Sequence, residues 1–191
     1  MSDFLPKDYK VPTSEGGYMK LEQGENRFRI MEAPILGYEL WVGGKPKRYK
    51  EEESITVEDY ENSDKDSTTG EPRLPRHFWA MVVWNYQQKR LQILEITQKT
   101  IQKAINVLNR DGDWGNPVGK DGYDIVITKE GQKFETTYSV NPKPKKELEI
   151  EITKAYKDSN IKVDELYGGG NPFSKNDKKE EEDIAEVLDS M

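Results

Sequence analysis

Residues 77–96, HFWAMVVWNYQQKRLQILEI, constrain this chain more than any other stretch. Two apolar, aromatic-rich runs flank the polar, basic connection Gln87-Gln88-Lys89-Arg90, which is the pattern of a β-hairpin. Four aromatics, Phe78, Trp79, Trp84 and Tyr86, fall within nine residues. A pleated strand sends successive side chains to opposite faces, so Phe78, Trp84 and Tyr86 share one face and Trp79, Met81 and Val83 the other. One face is expected to enter the core, which leaves the other as a stacking surface beside a positive turn. Aromatic faces next to Lys and Arg suit a single-stranded nucleic acid, which offers bases to stack and phosphates to neutralise.

Charge distribution bears directly on that expectation. The chain of 191 residues, long enough for one domain with appendages, has a net charge of −7. Residues 51–72 hold nine acids and one Lys, and residues 174–191 hold seven acids and three Lys, so the remaining body carries +5. The acid is segregated, and the body is mildly basic. Binding to a polyanion should therefore weaken with salt and need help from stacking. With no Cys and a single His, disulfides and thiolate sites are excluded, and a zinc site would rest on carboxylates almost alone. No run approaches the roughly 18 apolar residues of a membrane span, and no charged-then-apolar signal opens the chain. A cytoplasmic protein without a membrane partner is expected.

Along the chain, residues 1–17 read as an N-terminal arm and 174–191 as an acidic disordered tail. Between them, residues 18–173 form the expected domain, with 51–72 as a mobile acidic insertion in which Ile55, Val57 and Tyr60 could form a short strand or turn of helix. Alternation predicts strands around Asn26-Arg27-Phe28-Arg29-Ile30-Met31 and over residues 35–42, then a turn at Gly43-Gly44-Lys45-Pro46. After the aromatic hairpin, Ile101, Ala104, Ile105 and Leu108 are spaced for a helix, with Thr97 as its expected N-cap. A second hairpin follows at 124–128 and 134–140, and residues 145–168 read as partly helical. The pattern is mainly β, a β-barrel with minor α. It fits an OB-fold, a five-stranded partly open Greek-key barrel with one internal helix. An antiparallel α+β domain is the competing architecture.

Catalytic signatures are lacking: there is no Cys nucleophile, Gly-x-Ser-x-Gly, phosphate loop or His pair. No enzyme activity, cofactor or metal is expected. Asp111, Asp113, Asp121 and Asp124 lie close together but lack calcium-loop spacing. For binding, Trp41 alternates away from Tyr38, Leu40 and Val42 and points outward if those are core. Beside it lie Lys45, Lys47, Arg48 and Tyr49, with Arg27 and Arg29 on the preceding strand. With Trp79, Trp84, Tyr86, Lys89 and Arg90 of the hairpin, these are the candidate nucleic-acid contacts. In the tail, Asp183 and Asp189 bracket Ile184, Val187 and Leu188, which would form a short amphipathic face on a partner.

The run from Phe78-Trp79-Ala80 to Ile105, then Trp114, Tyr123-Asp124-Ile125, Glu130-Gly131 and Thr137-Tyr138-Ser139-Val140-Asn141-Pro142, resembles phage-encoded single-stranded-DNA-binding proteins. The similarity covers roughly residues 15–170. It implies an OB-fold core that coats single-stranded DNA during replication or recombination in a bacterial host cell. It also implies a tail that recruits replication proteins, and self-association into an oligomer or cooperative filament. The zinc subdomain of some members is ruled out by the lack of Cys, and the 51–72 segment has no counterpart that the resemblance supplies. A protein-interaction module, acting as an acidic adaptor or DNA mimic, and an RNA-binding OB protein are the alternatives.

Overall fold

The computed structural model describes residues 14–173, so the arm at 1–13 and the tail residues Asp183, Ile184, Val187, Leu188 and Asp189 lie outside the described residues. Eight strands occur among the described residues: β1 (Tyr18–Met19), β2 (Gly24–Ile30), β3 (Ile35–Val42), β4 (Lys45–Tyr49), β5 (Arg76–Asn85), β6 (Arg90–Ile96), β7 (Ile125–Glu130) and β8 (Thr137–Pro142). Three α-helices accompany them: α1 (Val57–Glu61), α2 (Lys99–Arg110) and α3 (Ile150–Asp158).

The aromatic run is β5, and the sheet is organised around it. One side of β5 pairs antiparallel with β6 from Trp79↔Ile96 to Asn85↔Arg90. The other side is shared, with β3 taking residues 76–80 and β2 taking 83–85. The interruption at 31–34 explains the sharing, because Pro34 has no N–H for a ladder and the chain bends there. β2 also pairs with β7, β7 with β8, and β3 with β4. Among the described residues only β1 is parallel to its neighbour, meeting β6 at Tyr18↔Ile93 and Met19↔Leu94. The expected mainly-β class with few helices holds. The sheet has eight strands rather than five and remains open, since no ladder joins β6 to β8.

Both faces of β5 are buried, which corrects the expectation of one core face and one stacking face. On the inner face Met81 and Val83 join Phe28, Ile30, Leu94, Ile125 and Ile127 under α2, which contributes Ile101 and Ile105. On the outer face Phe78, Ala80 and Val82 join Ile93 beneath the carboxy-terminal cover, which supplies Leu148, Ile152, Val163 and Leu166. That cover is α3 followed by a 3-10 turn at Val163–Gly168. A long apolar run bounded by turns can be a doubly buried strand, and here it is one.

The acidic segment is built into the fold instead of lying apart from it. Thr56 caps α1 by accepting the Asp59 N–H at 3.0 Å. Asp59 receives Lys47 Nζ at 2.6 Å and the Tyr49 hydroxyl, so α1 is tied to β4. The Asp64 N–H donates to the Trp41 carbonyl at 2.7 Å, and Asp66 Oδ1 accepts the N–H groups of Thr68 and Thr69. Carboxylates that look like a solvated charge run in the sequence are used as caps and turn-formers. The start of α2 also differs from expectation: Gln98, not Thr97, occupies the N-cap position and makes no side-chain cap.

Gly37 marks a close approach within β3. A Cβ there would lie 2.2 Å from the Tyr49 carbonyl oxygen and 3.1 Å from the Phe78 ring. Backbone cannot yield as a flexible side chain can. Gly37→Ala is expected to destabilise the protein by about 1–3 kcal/mol, the range for overpacking. Urea denaturation followed by circular dichroism measures it, and an unchanged midpoint would show that β4 can move aside.

Candidate nucleic-acid interface

The candidate residues divide between the two ends of β5, nine steps or about 30 Å apart along the strand. At the end where β5 begins lie Tyr38, Trp41, Lys45, Lys47, Arg48 and Tyr49, on the β3–β4 hairpin. At the far end lie Arg27, Arg29, Trp84, Tyr86, Lys89 and Arg90. Trp79 belongs to neither, since it packs half-buried against the inner core.

At the hairpin end, a groove of about 600 Å³ opens between β3 and the segment leading into β5. Trp41 and Tyr60 line it together with Arg73 and Arg76, and Glu39, Asp66 and Glu71 contribute acid. Tyr60 is exposed, and Trp41 is half-buried, with its indole Nε1–H donating to Glu39 Oε1 at 3.4 Å. Arg73 and Arg76 are exposed and form no ion pair with the described residues. Arg73 and Arg76 do not stand out in the sequence, and Tyr60 stands out there only as part of a short strand or turn of helix. The available signal was Arg73-Leu74-Pro75-Arg76, two cations leading directly into the aromatic strand.

Several predicted contacts at this end are engaged elsewhere. Lys47 is held by Asp59 and Tyr38 stacks obliquely against His77 at 5.2 Å, while Lys45 is exposed. Arg48 is largely buried, 2.7 Å from Glu95 and 3.9 Å from Glu39, over the Phe78 ring. It is therefore not free for phosphate. Burial, and then a hydrogen bond with Glu39, push Glu95 from 4.5 up to about 8 against the pull of Arg48. The Tyr49 phenol is pushed up to about 12 by desolvation and by its bond to Asp59. Asp59 is lowered by Lys47 and then by Tyr49.

At the far end, Asp124 organises the contacts. Its Oδ2 accepts from Arg27 Nε and a terminal nitrogen at 2.9 and 2.6 Å, and its Oδ1 accepts from Arg29 Nε at 2.7 Å and Tyr86 Oη at 3.0 Å. Arg27 keeps 43% of its side chain exposed and lies 4.7 Å over the Tyr86 ring, a cation–π pair at the surface. Arg29 is only 2% exposed and donates to the carbonyls of Gly119 and Lys146 at 3.1 Å. The expectation that Arg29 meets phosphates is corrected: its alternation matches Arg27, but it is a buried clip between loops. Trp84 and Tyr86 pack half-buried against the outer-face core, and desolvation, then the charge of Asp124, push Tyr86 up to about 12. Lys89 and Arg90 are exposed at the turn, where Arg90 binds the Gln88 side chain at 2.6 Å.

One more exposed aromatic stands outside both groups. Phe134 is fully exposed at the β7–β8 turn, next to Lys133 with φ of 51°. Among the described residues no helix is long and apolar enough to cross a membrane. No protein-family model matches the chain, and neither a curated protein nor a solved structure does.

Two outcomes test these assignments. Arg29→Ala leaves the buried Asp124 with less compensation and is expected to cost about 3–5 kcal/mol in a denaturant titration, as for other broken buried pairs. A loss near zero would return Arg29 to the list of surface contacts. For Glu95, the folded-state pKa is above the unfolded value, so its contribution to stability is complete below about pH 4.5 and is lost as pH rises through about 8. Glu95→Gln should flatten the fall in Tm between about pH 5 and pH 9. Parallel melting curves in the two proteins would remove Glu95 as the titrating group.

Proposed function

We propose that this protein binds single-stranded DNA without strong sequence preference, by stacking bases on aromatics and neutralising phosphates with Arg and Lys. The observation that carries the reading is the groove of Trp41, Tyr60, Arg73 and Arg76. It sets two aromatic side chains beside two arginines that make no ion pair within 4 Å among the described residues, while Glu39, Asp66 and Glu71 share the lining and the charge of Arg73 acts on Asp66. A flexible strand needs that combination, since every base has a π-face and every nucleotide a charge.

The order of elements supports the reading. Taking β2 and β3 as one bent strand, the chain runs strand, β5, β6, α2, β7, β8, with the bent strand paired to both β5 and β7. We read this order as a five-stranded OB plan left open between β6 and β8, with β1 and β4 as additions. In OB-folds the connections between strands 1 and 2 and between strands 4 and 5 help bind oligonucleotides. The Trp41 groove falls on the first of these connections, and Phe134 with Lys133 falls on the second. Action in replication or recombination and recruitment of replication proteins through residues 174–191 are part of the same proposal, as is cooperative self-association along the strand.

Titration with oligo-dT at low salt is expected to quench tryptophan fluorescence, with affinity falling as salt rises. Trp41→Ala should weaken binding by about 1–3 kcal/mol, the usual worth of one stacked base, or roughly fivefold to 150-fold in Kd. Trp79, packed against the inner core, should contribute little to the quench. Absence of quenching by the unaltered protein at low salt would end this reading.

A further inference from the structure

Five lysines converge on the surface outside the groove just described. Two clefts of about 380 and 510 Å³ lie side by side, sharing Lys120 and Glu147 in their linings. Lys145 and Lys146 line the first, and Lys154 and Lys157 of α3 line the second. All five lysines are exposed and none forms an ion pair with the described residues. The acids lining the clefts are Asp121, Glu147 and Asp158, so the linings carry a net positive charge. Such an excess is notable in a chain of net charge −7.

The arrangement is held from beneath. Arg29 donates to the Gly119 carbonyl next to Lys120 and to the Lys146 carbonyl, so one buried guanidinium fixes the two lysine-bearing loops relative to each other. The Lys143 N–H adds a bond to the Asp124 carbonyl at 2.8 Å. Lysines on fixed loops repel one another, and the arrangement gains when a polyanion displaces their counterions. Ile150, 85% exposed on the lining of the second cleft, gives sugar or base an apolar contact beside the charges.

We propose that these paired clefts form a second track for the phosphodiester backbone of single-stranded DNA, at the Asp124 end of the sheet. The inference rests on the function proposed above and adds a place where the strand leaves the Trp41 groove. From Arg29 to Trp41 the chain advances twelve residues along β2 and β3, so no more than about 40 Å separates the two places. A short oligonucleotide engages the Trp41 groove alone, and a long one engages both.

The test uses the full chain carrying Lys120→Gln, Lys145→Gln and Lys146→Gln together, three exposed changes that leave Arg29 and its carbonyl partners intact. Oligo-dT of about 4 and about 20 nucleotides, which bracket the usual 4–16 nucleotides per OB-fold, is titrated at several salt concentrations. For the long oligomer the slope of log K against log salt should shrink by about 2, since each single-strand phosphate contact contributes about 0.7. The quench amplitude should persist, and the short oligomer should bind equally to both proteins. An unchanged slope with normal binding would overturn the track and leave the Trp41 reading standing. Failure of the unaltered protein to bind either oligomer would overturn both. Loss of binding to phosphatidylserine vesicles with the DNA slope unchanged would assign the clefts to a lipid surface and also overturn the proposal.

Discussion

The pairing of Asp124 with Arg27, Arg29 and Tyr86 is the interaction on which the rest of the structure depends. Removing two charges from water costs several kcal/mol per ion unless geometry and further hydrogen bonds compensate. Here the carboxylate accepts from three side chains, and the buried Arg29 has further acceptors in two backbone carbonyls. The network joins β2, β7 and the end of β5 to the loop at 119 and to the chain that leads into α3. It thereby fixes where the carboxy-terminal cover begins, and that cover buries the outer face of β5.

A second charged cluster, Glu39–Arg48–Glu95, sits near the other end of β5 and behaves differently. Two carboxylates share one arginine, and burial raises Glu95 so that it holds its proton in the neutral range. Glu39 Oε2 and Arg48 Nε face each other at 3.9 Å without a hydrogen bond, so this cluster is less fully satisfied than the one around Asp124. The contrast separates a rigid anchor from a site whose charge follows pH. Glu39 also lines the Trp41 groove, which places the cluster directly beneath it.

Strands and turns were largely legible from periodicity and turn chemistry. Residues 35–42, the aromatic hairpin and the helix at 101–108 all lie where alternation and helical spacing put them. The burial of faces was not legible. Arg27 and Arg29 stand two apart on one face, and only the arrival of Asp124, about 95 positions later, makes one of them internal. Likewise β5 reads as carrying a surplus of aromatics because its cover comes from Leu148, Ile152, Val163 and Leu166, a segment with weak apolar periodicity. At 51–72 composition hides structure for a related reason, although Val57 and Tyr60 do lie in a turn of helix as their spacing allows. Composition signals solvation, whereas Thr56, Asp59, Asp64 and Asp66 act through position as caps and turn-formers.

The two-residue strand β1 has a consequence for how copies of this protein meet. It lies along β6, and the Gln92 side-chain amide reaches across to the carbonyls of Gly16 and Tyr18 at 2.9 and 3.3 Å. Without that short cover, the hydrogen-bonding groups of β6 at Ile93 and Leu94 would be offered to any passing strand. Sheet borders of this kind template intermolecular pairing and aggregation. The short strand thus guards the solubility of the protein, and because Met19 is also buried in the inner core, its loss would affect association and packing together.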